Sequence, residues 1–133
     1  MPRNTLLLLG RLLIAALFLP SGLETLSNLD GAASYFAGLG LPLSTLAAWG
    51  AGLFETAAGV LILIGWQTPI AALLLALFAA FAGFVGHFGQ GGEDATLRLM
   101  HSQAFWKDIA IAGGLFILAA SGAGAYSLDS RLR

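Results

Sequence analysis

The chain has 133 residues, of which 58% are hydrophobic and only 10% are charged, and its net charge is −1. Soluble domains carry about 25% charged residues, so this composition excludes an ordinary soluble protein and indicates an integral membrane protein. The sequence has no basic cluster for nucleic acid, and no cysteine for disulfides, thiolate-bound metals or dithiol chemistry.

Four apolar stretches are each long enough to cross a bilayer as a helix, at residues 5–26, 44–65, 69–88 and 104–122. The second and third are separated only by a short turn, and Pro69 suits a first helical turn, so these two should form a tight antiparallel hairpin. Of the longer connections, residues 27–42 have the composition of a short interfacial helix, and residues 89–103 are polar and glycine-rich. We expect an all-α, antiparallel four-helix bundle that forms a single transmembrane domain over residues 1–133.

The distribution of basic residues predicts the orientation of this bundle. Arg3, Arg131 and Arg133 flank the chain ends, whereas Arg98 and Lys107 lie on the other side. That other side also holds acidic residues, namely Asp30, Glu93 and Asp94. By the positive-inside rule, both termini are expected in the cytoplasm and both long connections outside.

Each span carries one ionisable side chain on the same helical face as several small residues. Because helices in lipid associate through small residues, these faces are predicted to point into the bundle. The four stripes are Arg11 with Ala15, Phe18, Gly22 and Thr25; Glu55 with Ala48, Gly52 and Gly59; His87 with Ala76, Ala80 and Gly83; and Lys107 with Ala110, Gly114 and Ser121.

The depth of these side chains follows from the helical rise of about 1.5 Å per residue, which places Arg11 about 9 Å and Glu55 about 15 Å from the cytoplasmic side. We therefore predict an Arg11–Glu55 ion pair, because a guanidinium side chain can span that gap. The same count places Glu24, His87 and Lys107 together near the outer surface. For Glu55, the sequence is consistent with a structural ion pair, with a ligand or proton site, and with a protonated, hydrogen-bonded acid. For His87, it is consistent with an interfacial histidine and with a functional one.

Three further polar residues have a simple interpretation. His101 is interpreted as a surface residue, and Lys107 with Asp108 as an anchor for the start of the fourth span.

His87 and His101 lack the i, i+4 spacing of a helical metal pair, so no metal site is predicted. Haem ligation by both would require the connection to fold back.

Short motifs follow one another along the whole chain in a specific order and spacing: Gly10, Arg11; Ser21, Gly22; residues 38–42; Glu55, Gly59, Gly65; Thr68, Ala71, Ala72; His87; Lys107, Asp108; residues 110–114; residues 122–124; and residues 127–129. In these motifs the chain resembles the DoxX family of small four-span bacterial membrane proteins. It departs from the family pattern at Thr25 and Pro69, where many members have a lysine and an arginine.

The resemblance implies a multi-pass protein of the bacterial inner membrane that is associated with redox chemistry, as a subunit of a thiosulfate:quinone oxidoreductase or a related complex. Since the chain encodes no redox centre, the electron carrier would be a quinone bound between helices or a centre on another subunit. The candidate ligand-binding residues are Arg11, Glu55, His87, Lys107 and Glu24, with Glu55 and His87 as candidate proton acceptors.

Two other functions remain open from the sequence. A non-enzymatic scaffold or anchor would use the buried Arg11–Glu55 pair only to fix helix packing. A transporter would require a homo-oligomer, because four short spans alone do not form a solute pathway.

Overall fold

The structure is a computed structural model that describes residues 2–133, and it confirms the all-α class. Four helices in the described residues are long and apolar enough to cross a membrane, namely α1, α3, α4 and α5. In chain order the helices are α1 Pro2–Ser27, α2 Leu29–Gly38, α3 Ser44–Ile64, α4 Thr68–Gly86, α5 Ala95–Ser121 and α6 Leu128–Arg131.

The start of α1, the turn between α3 and α4, and the segment that follows α5 all lie at one end of the bundle, which we call the termini end. The Asn4 side chain accepts a hydrogen bond from the Ala125 amide at 3.1 Å, and the Asp129 amide donates to the Gly65 carbonyl at 2.8 Å. The spans therefore run in alternating directions. The opposite end, with α2 and residues 87–94, is called the loop end; which end faces the cytoplasm stays a prediction.

Small residues allow α1 to pack closely against α3. A methyl group added at Gly22 would come within 2.7 Å of the Thr56 amide nitrogen and 2.9 Å of the Gly52 carbonyl oxygen. Both helices bury the faces that the sequence predicts: Arg11, Ala15, Phe18 and Gly22 on α1, and Ala48, Gly52, Glu55 and Gly59 on α3. The close approach of these two backbones fixes which polar side chains can meet.

The predicted short helix between the first two spans is α2, which packs on α3 at the loop end. Asn28 directly precedes it, and the Asn28 side chain caps the helix by accepting a hydrogen bond from the Gly31 amide at 3.1 Å. No residue of α2 is fully buried, and its Tyr35 is 54% exposed. The helix therefore covers the end of the bundle without entering its core.

The fourth span differs from its prediction in length. The helix α5 starts at Ala95, not at residue 104, because Asp94 caps it by accepting hydrogen bonds from the amides of Thr96 at 2.9 Å and Leu97 at 3.2 Å. Most of the predicted polar connection at 89–103 is thus helical.

The face that α5 buries is also not the predicted one. Its buried residues are Phe105, Ala112, Leu115 and Leu118, whereas Lys107, Ala110 and Gly114 are exposed. On this face Phe105, Leu115 and Leu118 are large, whereas the residues that α4 buries are mostly alanine and glycine. The large side chains of α5 therefore fill the space beside the small ones of α4. The predicted inward orientation of Lys107 is therefore wrong.

Candidate functional site

Arg11 lies inside the termini end of the bundle and is only 1% exposed. Its Nε donates to the carbonyl of Ile62 at 2.9 Å, and its Nη2 donates to that of Leu63 at 2.7 Å. Its Nη1 donates to the carbonyls of Ala123 at 3.1 Å and Tyr126 at 2.7 Å. One guanidinium thus joins α1 to the last turn of α3 and to the segment that follows α5.

This position is chemically favourable for a cation. The last carbonyls of a helix have no partner within the helix and carry the negative end of its dipole, so the end of α3 attracts a guanidinium with several donors. These four hydrogen bonds of the Arg11 side chain all go to backbone carbonyls, and Arg11 does not line the cavities described below.

Within residues 2–133, Arg11 and Glu55 form no ion pair, so that prediction is wrong. Depth alone suggested that the side chains meet, but helical side chains lean toward the N-terminus of their own helix. Because α1 and α3 are antiparallel, Arg11 leans toward the termini end and Glu55 leans toward the loop end. The two charged groups therefore diverge.

Like Arg11, Asp129 stabilises the turn between α3 and α4. Its carboxylate accepts hydrogen bonds from the amides of Gln67 at 2.8 Å and Thr68 at 3.0 Å, at the start of α4. Burial by itself raises the pKa of Asp129, but hydrogen bonds from the Thr68 and Gln67 amides and the charge of Arg133 lower it, so that its pKa lies below the ordinary value. The ionised carboxylate therefore caps α4 from a distant part of the chain.

The Asp129→Ala variant is expected to be less stable by about 1 kcal/mol at pH 7, the usual cost of a lost helix cap. Because the pKa of Asp129 is lower in the folded than in the unfolded protein, its contribution is present at neutral pH and is lost as the pH falls through the folded-state pKa. Thermal unfolding in detergent at pH 7 and at about pH 3.5 should show the difference between variant and wild type shrinking in acid. Glu93→Gln, a change at an exposed residue, is the control; an equal difference at both pH values would contradict the capping role.

Glu55 lies in the middle of α3 and is 9% exposed. Its Oε2 accepts a hydrogen bond from the Ser21 hydroxyl at 3.0 Å, and no basic side chain of the described residues pairs with it. It lines a cavity of about 370 Å³ that also includes Glu24, Thr25 and Asn28. An unpaired carboxylate at this depth is costly and is typical of a functional position in membrane proteins.

A second, larger cavity of about 420 Å³ lies toward the loop end and is lined almost entirely by apolar and aromatic side chains, with His87 and Asp108 at its edge. The two cavities share five lining residues: Tyr35, Phe36, Ala51, Phe78 and Ala82. We call the two together the groove. The rings of Phe54 and Phe78 meet within it at a centroid distance of 5.3 Å.

The loop end of the groove holds three ionisable side chains in a row, which we call the loop-end cluster: Asp108, His87 and His101. The Nδ1 atoms of His87 and His101 are 2.9 Å apart, and the Nε2 atom of His87 is 3.8 Å from Oδ2 of Asp108. His101 is therefore not the simple surface residue that the sequence suggested, and Asp108 occupies the inward position predicted for Lys107.

Gly83 makes this cluster possible. It lies one helical turn before His87 on α4, and a methyl group added there would lie 2.9 Å from the Cβ atom of Asp108. The absence of a side chain at Gly83 lets α5 approach until Asp108 comes next to His87. A helical stripe does run through His101, Phe105, Asp108, Ala112 and Leu115, and this spacing was the sequence signal for the cluster.

The predicted site residues are thus placed in three ways. Glu55 and His87 lie toward opposite ends of the groove, and Glu24 is exposed but contributes to the lining beside Glu55. The guanidinium of Arg11 donates its hydrogen bonds to backbone carbonyls at the termini end, and Lys107 is exposed on the outer face of α5.

The fold and the groove together define a four-span membrane protein with a ligand-sized, largely apolar groove that has ionisable groups toward both ends. The family model for DoxX matches residues 6–88, and the chain belongs to the DoxX family. The model for the SURF4 family matches residues 51–133.

Two relatives from Escherichia coli (strain K12) cover nearly the whole chain. Inner membrane protein YphA is 35% identical over 130 residues, which is 97% of this chain and 91% of the relative. Inner membrane protein YqjF is 32% identical over 133 residues, which is 94% of this chain and 90% of the relative. No solved structure matches significantly. The chain is a multi-pass inner-membrane protein.

Proposed function

We propose that this protein binds a quinone in the groove and acts as the quinone-linked membrane subunit of an oxidoreductase complex. The observation that supports this most strongly is the groove itself, an aromatic-lined slot with Glu55 toward one end and His87 and Asp108 toward the other. A quinone ring is flat and apolar and carries its two oxygens on opposite edges. Such a ligand needs apolar walls and polar groups on two sides.

The surface of the groove also suits a lipid-soluble ligand. Two of its aromatic residues, Tyr35 and Phe81, are 54% and 57% exposed, so the groove opens at the surface of the bundle. A ligand with an isoprenoid tail can therefore enter from the bilayer and leave its tail among acyl chains. This route requires no opening of the packed helix pairs.

A quinone exchanges two electrons and two protons when it is reduced or oxidised. In this proposal, Glu55 exchanges a proton with the quinone at one end of the groove. At the other end the exchange is made by His87 together with the neighbouring Asp108, since all three groups are ionisable and line the groove. The electrons pass to or from a redox centre on a partner subunit, because this chain contains no thiol.

The test is a titration of short-tailed ubiquinone into the purified protein in lipid nanodiscs. Glu55→Gln and His87→Ala are expected to fold and to bind the quinone about tenfold more weakly, which corresponds to about 1.4 kcal/mol for one altered hydrogen bond to the ligand. Glu93→Gln makes the same chemical change as Glu55→Gln at an exposed position and should bind like wild type. Unchanged affinity in both groove variants would overturn the proposal.

A scaffold that binds no small molecule is the second candidate. It is favoured by the termini end, where Arg11 and Asp129 fix three segments of the chain without any ligand. If the wild-type protein binds no quinone in the same titration, this second function is the better account.

A further inference from the structure

We propose that Asp108, His87 and His101 form a proton path between the groove and the water at the loop end, an inference that rests on the proposed quinone function. Asp108 and His87 line the groove, whereas His101 does not and contacts His87 from the far side. His87 thus lies between a groove-lining carboxylate and a second imidazole. This is the arrangement that proton transfer through a histidine requires.

The contact between the two histidines holds a single proton. At 2.9 Å, one Nδ1 must donate and the other must accept, so the tautomers of the two rings depend on each other. When His87 carries its proton on Nδ1, His101 accepts at Nδ1 and presents an N–H at its Nε2. When His101 carries the shared proton, His87 has its proton on Nε2, toward Asp108.

These two states carry a proton in opposite directions. In the second state, His101 carries the shared proton. A proton that arrives at Nε2 of His101 then lets the Nδ1 proton of His101 pass to Nδ1 of His87. The Nε2 proton of His87 passes in turn to Asp108. From the first state, Asp108 gives a proton to Nε2 of His87, the Nδ1 proton of His87 passes to His101, and Nε2 of His101 releases one to water. Each passage moves one proton, breaks and forms N–H and O–H bonds in equal number, and leaves the path in the opposite state.

The step between His87 and Asp108 is the longer one, at 3.8 Å. This distance exceeds hydrogen-bond range, so the step requires the two groups to approach by about 1 Å, and both side chains are 28% exposed, so neither is fully enclosed by packing. Tyr35 of α2 lines the same cavity, and no other titratable group lines it.

His101 is well placed to exchange protons with water. The helix α5 has 27 residues, and at about 1.5 Å per residue it is longer than the roughly 30 Å hydrocarbon core. Its first turns contain Thr96 and Arg98, so this polar end is the part expected to extend into water. Residues 95–100 are all exposed, and His101 is the first partly buried residue of the helix. The path therefore ends where the helix leaves the bilayer.

The first arm of the test needs no quinone. Nitrogen NMR of ¹⁵N-histidine-labelled protein in nanodiscs should show that the tautomer of His87 changes in His101→Ala and is unchanged in Gln103→Ala, which alters an exposed residue on the same helix. An identical His87 spectrum in all three proteins would overturn the path.

The second arm measures the rate of proton-coupled reduction and oxidation of short-tailed ubiquinone bound to the protein in nanodiscs on an electrode. His101→Ala should slow both directions by about a hundredfold, as for a lost general acid–base group, with a smaller effect on the quinone Kd than the tenfold expected for His87→Ala. Imidazole in the buffer should restore the rate, which no purely structural role would produce; Gln103→Ala should behave like wild type.

The outcomes separate the two proposals. Wild-type protein that fails to bind quinone overturns the proposed function and, with it, the assignment of this path to quinone protons. Normal binding with a rate that His101→Ala leaves unchanged, or that imidazole does not restore, overturns the path alone.

Discussion

Replacement of Arg11 by leucine is expected to have the largest effect on stability of any single change in this protein. The variant should lose at least about 3 kcal/mol, because a hydrogen bond to a charged group contributes about 1.5–3 kcal/mol and Arg11 makes four of them to backbone carbonyls. Leucine fills the space but donates nothing. The end of α3 and the segment after α5 should therefore separate.

Thermal unfolding in detergent, followed by tryptophan fluorescence, measures this loss. Arg11→Lys should be intermediate, since one ammonium keeps the charge but cannot reproduce the planar set of donors. Arg3→Leu is the matched control, because Arg3 is exposed and, within residues 2–133, its side chain donates to one carbonyl, that of Ser121 at 3.2 Å. If Arg11→Leu and Arg3→Leu unfolded at the same temperature, Arg11 would not be the residue that closes the termini end.

The largest expected effect on ligand binding comes from Ala51→Leu. Ala51 lines both cavities of the groove at the point where they join, so a leucine there fills the space that the ligand needs. We expect quinone affinity in nanodiscs to fall at least about a hundredfold, which corresponds to about 2.7 kcal/mol. Because the added atoms enter a cavity, the fold should be retained.

Ala57→Leu is the matched control for this variant. It makes the same substitution on the same helix, but Ala57 is exposed on the outer face of α3. The control should bind quinone like wild type and unfold at the same temperature as Ala51→Leu. Equal affinities for the two variants would show that the ligand does not occupy the groove.

The number of membrane-spanning helices and the approximate bounds of α1, α3 and α4 could be predicted from hydropathy, and helical spacing identified the inward faces of these three helices. The prediction succeeded because small residues mark the faces of α1 and α3 that pack closely. The same rule failed on α5, where Leu115 and Leu118 form the buried face and the glycines are exposed. Residue size alone did not distinguish packing from lipid contact there.

The contacts of the polar groups could be predicted only in part. Sequence spacing gave the depth of Arg11 and Glu55, but it did not include the direction of their side chains or the segment after α5 that brings carbonyls to Arg11. His101 was misjudged because helix α5 begins nine residues earlier than hydropathy suggested. Its Asp94 cap, not its hydropathy, sets that start.

The most direct test is mass spectrometry of lipids extracted from wild-type, Ala51→Leu and Ala57→Leu protein, each purified gently from its membrane. A groove that holds a quinone predicts a quinone in stoichiometric amount with the wild type and with Ala57→Leu, and its loss from Ala51→Leu. Absence of quinone from the wild type, or equal amounts in all three proteins, would contradict quinone binding in the groove.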